Sequence, residues 1–202
     1  PAPLVEQMMK MLRPILPSSI SITLDIAPDL PAVAANVVQL QQVLLNLCIN
    51  ARDATIGVGT ITIAARYEHF ERADCASCHK QFSGSYIALS VADDGQGITP
   101  AQRIRIFEPF YTTKVEQKGT GMGLATVHGI VHRHGGRIGL VSRPAVGSTF
   151  TIALPAADTA QPGPQGTATE GDPDTLPRAT WPARILVVDD EPSIAHCTAE
   201  IL

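Results

Sequence analysis

Apolar residues at helical spacing run through Leu40–Ala54, LQQVLLNLCINARDA, and a polar column runs beside them. Leu40, Leu44, Leu47, Ala51 and Ala54 share one face, while Gln42, Asn46, Asn50 and Asp53 recur at spacings of four, four and three on another. The spacing predicts a helix with its apolar side on a core and its polar side toward a group that wants oxygen ligands. A merely solvated face is the alternative. Such a face usually carries Lys and Glu, whereas this one carries short Asn and Asp, which are poor helix formers.

The rest of the pattern surrounds that helix. Residues 4–13 predict a short helix closed by Pro14 and Pro17. Ser19–Ile26 alternates Ile20, Ile22, Leu24 and Ile26 with polar partners, as a half-buried strand does. Asn36 is placed to cap the long helix, and Gly57 and Gly59 end it. Thr60–Tyr67 predicts a second strand, residues 68–84 a polar surface insertion with a cysteine pair, and Tyr86–Ala92 a third strand. Pro100–Phe107 suggests a short helix, followed by a polar loop through Gly123. Leu124, Val127, His128 and Val131 restore a helical period, stopped by Gly135-Gly136. Arg137–Ser142 and Ser148–Leu154 form a hairpin across Pro144–Gly147. Roughly five strands and three or four helices, interleaved but with several strands adjacent, predict an α+β fold. Its mixed sheet is covered by helices on one face, and is not doubly wound.

Composition shifts after Pro155. Residues 156–182 hold five prolines and three glycines, the signature of an extended linker. Arg184–Val188 then gives an apolar strand ending in Asp189-Asp190-Glu191, with a helix starting near Pro192. The expected organisation is a domain over residues 1–155, a linker over 156–182 and the incomplete start of a second α/β domain over 183–202. A net charge of −4 with no basic run argues against nucleic acid as a partner. Apolar runs of only strand length and no opening signal peptide suggest no membrane contact and a cytoplasmic location for this piece. The full-length protein could still be membrane-anchored. Four cysteines, unevenly placed, do not make a disulfide framework.

Two glycine-rich stretches carry candidate chemistry. Asp93-Asp94-Gly95-Gln96-Gly97 follows a strand, so a carboxylate meets a backbone that a ligand can approach closely, although a plain turn reads similarly. Gly119-Thr120-Gly121-Met122-Gly123 precedes a helix, exposing N–H groups and a positive helix end to an anion. It has neither the preceding strand of a dinucleotide fold nor the Lys-Ser/Thr of a P-loop. Together with the amide column, both stretches suit a nucleotide and its metal.

In order and spacing these residues resemble the ATP-binding catalytic domain of bacterial sensor histidine kinases, in the superfamily shared with gyrase and MutL. Gln42–Ala54 is similar to the family's N box, Asp93–Gly97 to its first glycine box, Phe107-Glu-Pro-Phe-Tyr-Thr-Thr-Lys114 to its F box, and Gly119–Leu124 to its second glycine box. The resemblance covers about residues 1–155 and implies a two-layer α/β sandwich of the Bergerat type, with ATP between a helix and a lid.

The resemblance also implies roles. Asn50 would coordinate Mg²⁺ bridging the phosphates, Asn46 would support phosphate and metal one turn earlier, and Asp53 would complete that face. Asp93 would accept from the adenine amino group, with Gly95, Gly97 and Ile98 letting the backbone pass the base. Phe107, Phe110, Thr112, Thr113 and Lys114 would form the start of the lid, Lys114 as a phosphate contact, although the two phenylalanines could simply anchor the lid to the core. Gly119, Thr120, Gly121, Met122 and Gly123 would wrap the triphosphate over Leu124. Catalysis would rest on Asn46, Asn50 and Lys114. The superfamily's hydrolases carry a Glu base where this chain has Asn46, which cannot take a proton from water, so transfer is favoured over hydrolysis.

The implied acceptor is a histidine on a separate dimerisation domain, expected upstream, in a homodimeric full-length protein. None of the six histidines, His69, His79, His128, His132, His134 and His196, is followed by Glu as that acceptor usually is. His128, His132 and His134 read as surface or packing residues. Arg184–Glu191 resembles the first strand of a response-regulator receiver domain, with Asp189 and Asp190 as its acidic pair, which implies a hybrid kinase. Rival readings are a non-catalytic regulatory nucleotide module and an independent ATPase of the same superfamily. Cys75-Ala-Ser-Cys78-His79 matches a haem-attachment pattern in the wrong setting for haem. A zinc site would need His69 or His79 beside the cysteines and still lack a fourth ligand, so an ordinary loop insertion is expected.

Overall fold

The computed structural model describes residues 12, 13, 15–113 and 120–157, all within one compact unit. The expectations for most of residues 4–13, for Lys114 and Gly119, and for nearly all of the linker and the receiver-like segment lie outside the described residues.

Helix α1, Val37–Ala54, forms as its period predicts. The Asn36 side chain accepts from the Gln39 N–H at 3.1 Å and satisfies one free donor of the first turn. Leu40, Val43, Leu44, Leu47, Cys48 and Ala51 are buried, so the apolar face is wider than the spacing alone suggests. Burial pushes the Cys48 thiol up to about 12.

Strands β1 (Ile20–Ile26), β2 (Gly59–Asp74), β3 (Gln81–Asp93), β4 (Arg137–Arg143) and β5 (Gly147–Pro155) build one sheet in the order β1-β2-β3-β5-β4. The β1–β2 pair is parallel, with α1 as its crossover, and every other pair is antiparallel. Along the start of β2, Gly59, Ile61, Ile63 and Ala65 are buried while Thr60, Thr62 and Ala64 are partly exposed, which is the alternation of a sheet covered on one face. Ile63, Val91, Ile138, Ile152 and Leu154 join Leu44 and Leu47 of α1 and Val127 and Val131 in one core. Short helix α2, Pro100–Arg103, starts at a capping box between Thr99 and Gln102. Helix α3, Gly123–Arg133, packs beside α1. Its end is tied to the start of α1 by His134, whose Nε2 accepts from the Asn36 N–H at 3.1 Å.

One expectation is corrected. Residues 68–84 are not an irregular insertion, because β2 and β3 continue outward as a long hairpin with a register shift between Phe70 and Ala73. Most of its outer residues are exposed, so a polar sequence is compatible with strand pairing there. Phe70, Phe82 and Tyr86 hold it together, with ring centroids 5.2 to 5.9 Å apart.

Candidate functional site

The polar face of α1 forms one wall of a cleft of about 780 Å³. Asn46, Ile49, Asn50 and Asp53 stand on that wall, Asp93, Gly97 and Ile98 line the loop after β3, and Tyr111–Thr113 and Thr120–Gly121 lie along the rim. Gly123 and Leu124 bring in the N-terminal end of α3. A Cβ placed on Gly123 would lie 3.9 Å from the Asn46 side chain and 3.9 Å from the Asn50 Nδ2, so the two amides face the helix end at close range. The positive end of α3 and a pair of neutral side-chain amides therefore converge, which suits an anion carrying a divalent cation.

The acidic pair after β3 divides its work. Asp94 is exposed and turns away, accepting from the Thr60 N–H at 2.9 Å and tying the loop to β2. Asp93 turns to the cleft and accepts from the Gly95 N–H at 2.9 Å. Burial pushes the Asp93 carboxyl above its ordinary range, and the charge of Asp94 adds to this, against hydrogen bonds from the Gly95 and Ser148 N–H groups. Beside it, Asp53 is paired with Arg52 at 2.7 Å.

Two glycines set the backbone paths. Gly97 has φ +67°, and a Cβ there would meet the Arg143 carbonyl oxygen at 2.1 Å. The approach is fixed by the Ala145 N–H donating to the Gln96 carbonyl at 2.8 Å and the Ile98 N–H donating to Ser142 Oγ at 2.8 Å. Gly121 has φ +66° and lies against the Phe110 backbone, whose N–H donates to the Gly121 carbonyl at 3.0 Å. The segment before α3 is thus joined to the end of the Phe107–Thr113 stretch.

Of the residues expected at the site, Asn46, Asn50, Asp53, Asp93, Gly97, Ile98, Thr112, Thr113, Thr120, Gly121, Gly123 and Leu124 line the cleft. Gly95, Phe107, Phe110 and Met122 do not. Gly95 is buried against the end of α1, where a Cβ would meet the Ala54 carbonyl at 2.5 Å. Phe107 faces a separate small cavity and packs on the core, which matches its reading as an anchor. Phe110 is 75% exposed and Met122 is 40% exposed. Several lining residues escaped the sequence reading. Ile49 completes an i, i+3, i+4, i+7 stripe with Asn46, Asn50 and Asp53, so the helical period could have found it. Ser148 and Phe150 depend on the fold, because β5 reaches the cleft only through its pairing with β3, and Ile106 and Tyr111 come from the irregular segment after α2.

Comparison with known proteins agrees with this geometry. The family described as histidine kinase-, DNA gyrase B-, and HSP90-like ATPase matches residues 35–158, more than half of the chain. The sensor kinase CckA of Brucella abortus (strain 2308) is 37% identical over 183 residues, covering 87% of this chain and 19% of CckA. The sensor histidine kinase ZraS of Escherichia coli (strain K12) is 42% identical over 137 residues, covering 68% of this chain and 26% of ZraS. The chain thus spans about a quarter or less of the length of these relatives. Among solved structures, full-length ShkA in complex with AMPPNP superposes with a TM-score of 0.60 at 30% identity, over 78% of this chain and 30% of that one. The mycobacterial sensor histidine kinase MprB, at 22% identity and a TM-score of 0.59 over 77% of this chain and 93% of that one, shares the fold. The chain belongs to the histidine kinase-, DNA gyrase B- and HSP90-like ATPase family and carries the ATP-binding catalytic domain of a sensor histidine kinase.

Proposed function

We propose that the cleft holds Mg-ATP for transfer of its γ-phosphoryl group to a histidine on a dimerisation domain of the same protein. The observation that carries this reading is the convergence of Asn46 and Asn50 on the N-terminal end of α3. The donor set fits magnesium, because amide oxygens are hard, neutral ligands that leave room for phosphate oxygens and water. When bound, the ion would supply positive charge against the charge developing in transfer. Asn50 would be the residue that holds it, and Asn46 would orient phosphate from one turn earlier. The Asp93 carboxylate accepts from the adenine amino group and so prefers adenine to guanine, while Gly97 lets the backbone pass close to the base. Thr112, Thr113, Thr120 and Gly121 line the phosphate side of the cleft, and Lys114 and Gly119 stay proposed phosphate contacts on the family resemblance alone.

With Asn46 where a hydrolase would keep Glu, the chain positions ATP without supplying a base to activate water. The partners are accordingly the dimerisation domain in a homodimer and a receiver domain, with residues 1–155 as the catalytic unit, 156–182 as linker and 183–202 as the receiver's start. The Brucella match supports further shared sequence, since 87% of the chain is more than residues 35–158 supply. Among the described residues no helix is long and apolar enough to cross a membrane.

The test supplies a histidine-bearing dimerisation domain in trans with γ-labelled ATP. Label on histidine, with almost no phosphate release by the chain alone, is the expected result. Steady turnover by the chain alone would establish an independent ATPase instead, and binding without transfer a regulatory module.

A further inference from the structure

The outer end of the β2–β3 hairpin brings together side chains that the nucleotide site does not use. Cys75 follows β2, Cys78 sits in the turn before β3, and His132 projects from the last turn of α3. One ligand atom from each lies within 4.8 Å of the other two, and Cys75 Sγ stands 3.7 Å from His132 Nε2. Around a tetrahedral zinc ion, a thiolate sulfur and an imidazole nitrogen are about 3.6 Å apart and two sulfurs about 3.8 Å, from ordinary bond lengths. The apo positions already approach that arrangement. Neither His69 nor His79 takes part: His69 Nδ1 pairs with Ser85 Oγ at 3.0 Å, and His79 is exposed at a positive φ. His132, read from the sequence as a surface or packing residue, is the histidine that the fold places beside the cysteines.

A second observation points to a charged sulfur. Cys75 is fully buried, yet its Sγ accepts from the Ile138 N–H at 3.4 Å and also from the Ser77 and Cys78 N–H groups. A neutral thiol is a weak acceptor and gives little reason for three backbone donors to converge on it. A metal-bound thiolate does, because such outer contacts spread its charge and fix its direction. His132 faces this sulfur from the last turn of α3, with its Nε2 also 3.0 Å from Ser77 Oγ. Beside it the His128 ring lies 4.4 Å away between centroids, with a buried Nδ1 that has no hydrogen-bond partner.

We propose that Cys75, Cys78 and His132 form a site for a thiophilic divalent cation, zinc being the best fit, with the fourth position open to water. Two thiolates and an imidazole select a borderline-soft ion over magnesium or calcium. The open position makes the site exchangeable, unlike a closed four-ligand structural site. Binding would clamp the hairpin to the C-terminal end of α3, at the opposite end of that helix from the nucleotide cleft. The site is independent of the reading of the cleft.

The test titrates the reduced 202-residue chain with Co²⁺ as a spectroscopic probe and displaces it with Zn²⁺. One equivalent should bind with thiolate-to-cobalt charge-transfer absorption, and zinc should abolish the band. Cys75→Ser removes a fully buried group and can unfold the chain, so Cys78→Ser and His132→Ala are the deciding variants. Each should keep a native circular dichroism spectrum and weaken cobalt binding by about 100-fold or more, since even loss of outer contacts costs 10–100-fold. Absence of the thiolate band, an undiminished band in His132→Ala, or a Cys75–Cys78 disulfide with no metal uptake after reduction would each overturn the proposal.

Discussion

Replacing Gly97 with Ala probes the cleft's geometry most sharply, because Gly57 supplies a matched control. Both glycines have positive φ, +67° at Gly97 and +79° at Gly57, so Ala at either costs about 1–2 kcal/mol of backbone strain. They differ in surroundings. A Cβ on Gly57 meets nothing within 4 Å, whereas one on Gly97 meets the Arg143 carbonyl oxygen at 2.1 Å, its carbon at 2.7 Å and Pro144 Cα at 3.1 Å. These are backbone atoms held by the hydrogen bonds from Ala145 and Ile98, so they cannot swing aside as a flexible side chain would. Overpacking of this kind adds about 1–3 kcal/mol. The expected losses are therefore about 1–2 kcal/mol for Gly57→Ala and about 2–5 kcal/mol for Gly97→Ala. Urea denaturation followed by far-ultraviolet circular dichroism measures both. ATP affinity should fall in Gly97→Ala, because the loop between Asp93 and Ile98 must move, and stay level in Gly57→Ala, which is outside the cleft. Equal destabilisation of the two variants would refute the close approach of the loop to the β4–β5 turn.

Two further outcomes follow from burial. Since burial raises the folded-state pKa of Asp93, its ionised form costs stability above that pKa, and the cost is relieved as pH falls through it. Asp93→Asn should leave stability at neutral pH unchanged or higher while weakening ATP binding by roughly 10–150-fold, the value of a charged hydrogen bond of about 1.5–3 kcal/mol. In the wild type, calorimetry should show ATP affinity declining in acid at a higher pH than an ordinary aspartate would give. Cys48, with its thiol pushed up to about 12 inside the core, should resist alkylation at mildly alkaline pH until urea unfolds the chain; mass spectrometry of the peptide containing it reads this directly.

How far the sequence could be read depended on what each residue's partners were. Helix α1 was legible because its cap, its apolar stripe and its amide column are all local, from Asn36 to Ala54. The five strands were legible where one face is covered, as in Ile61 and Ile63 against Thr60 and Thr62. The hairpin beyond Tyr67 was not, since much of it is wet on both sides and period-2 contrast disappears. The same principle governs the site. Asn46 and Asn50 announce themselves by residue type on one helix face and Asp93 at a strand end, while Ser148 and Phe150 arrive through strand register, which a one-dimensional pattern does not contain. His132 joins Cys75 and Cys78 across 57 residues from the first of them, and only the packing of α3 on the hairpin reveals it.

The central claim is that the amide column of α1 is the metal and phosphate side of an ATP site. Isothermal titration of ATP into the chain, with and without Mg²⁺, for wild type and Asn50→Ala, tests it directly. The account predicts Mg²⁺-dependent binding in the wild type and at least about a tenfold loss of that dependence in Asn50→Ala, as removal of a ligating oxygen requires. Undiminished Mg²⁺-dependent binding in Asn50→Ala would contradict it.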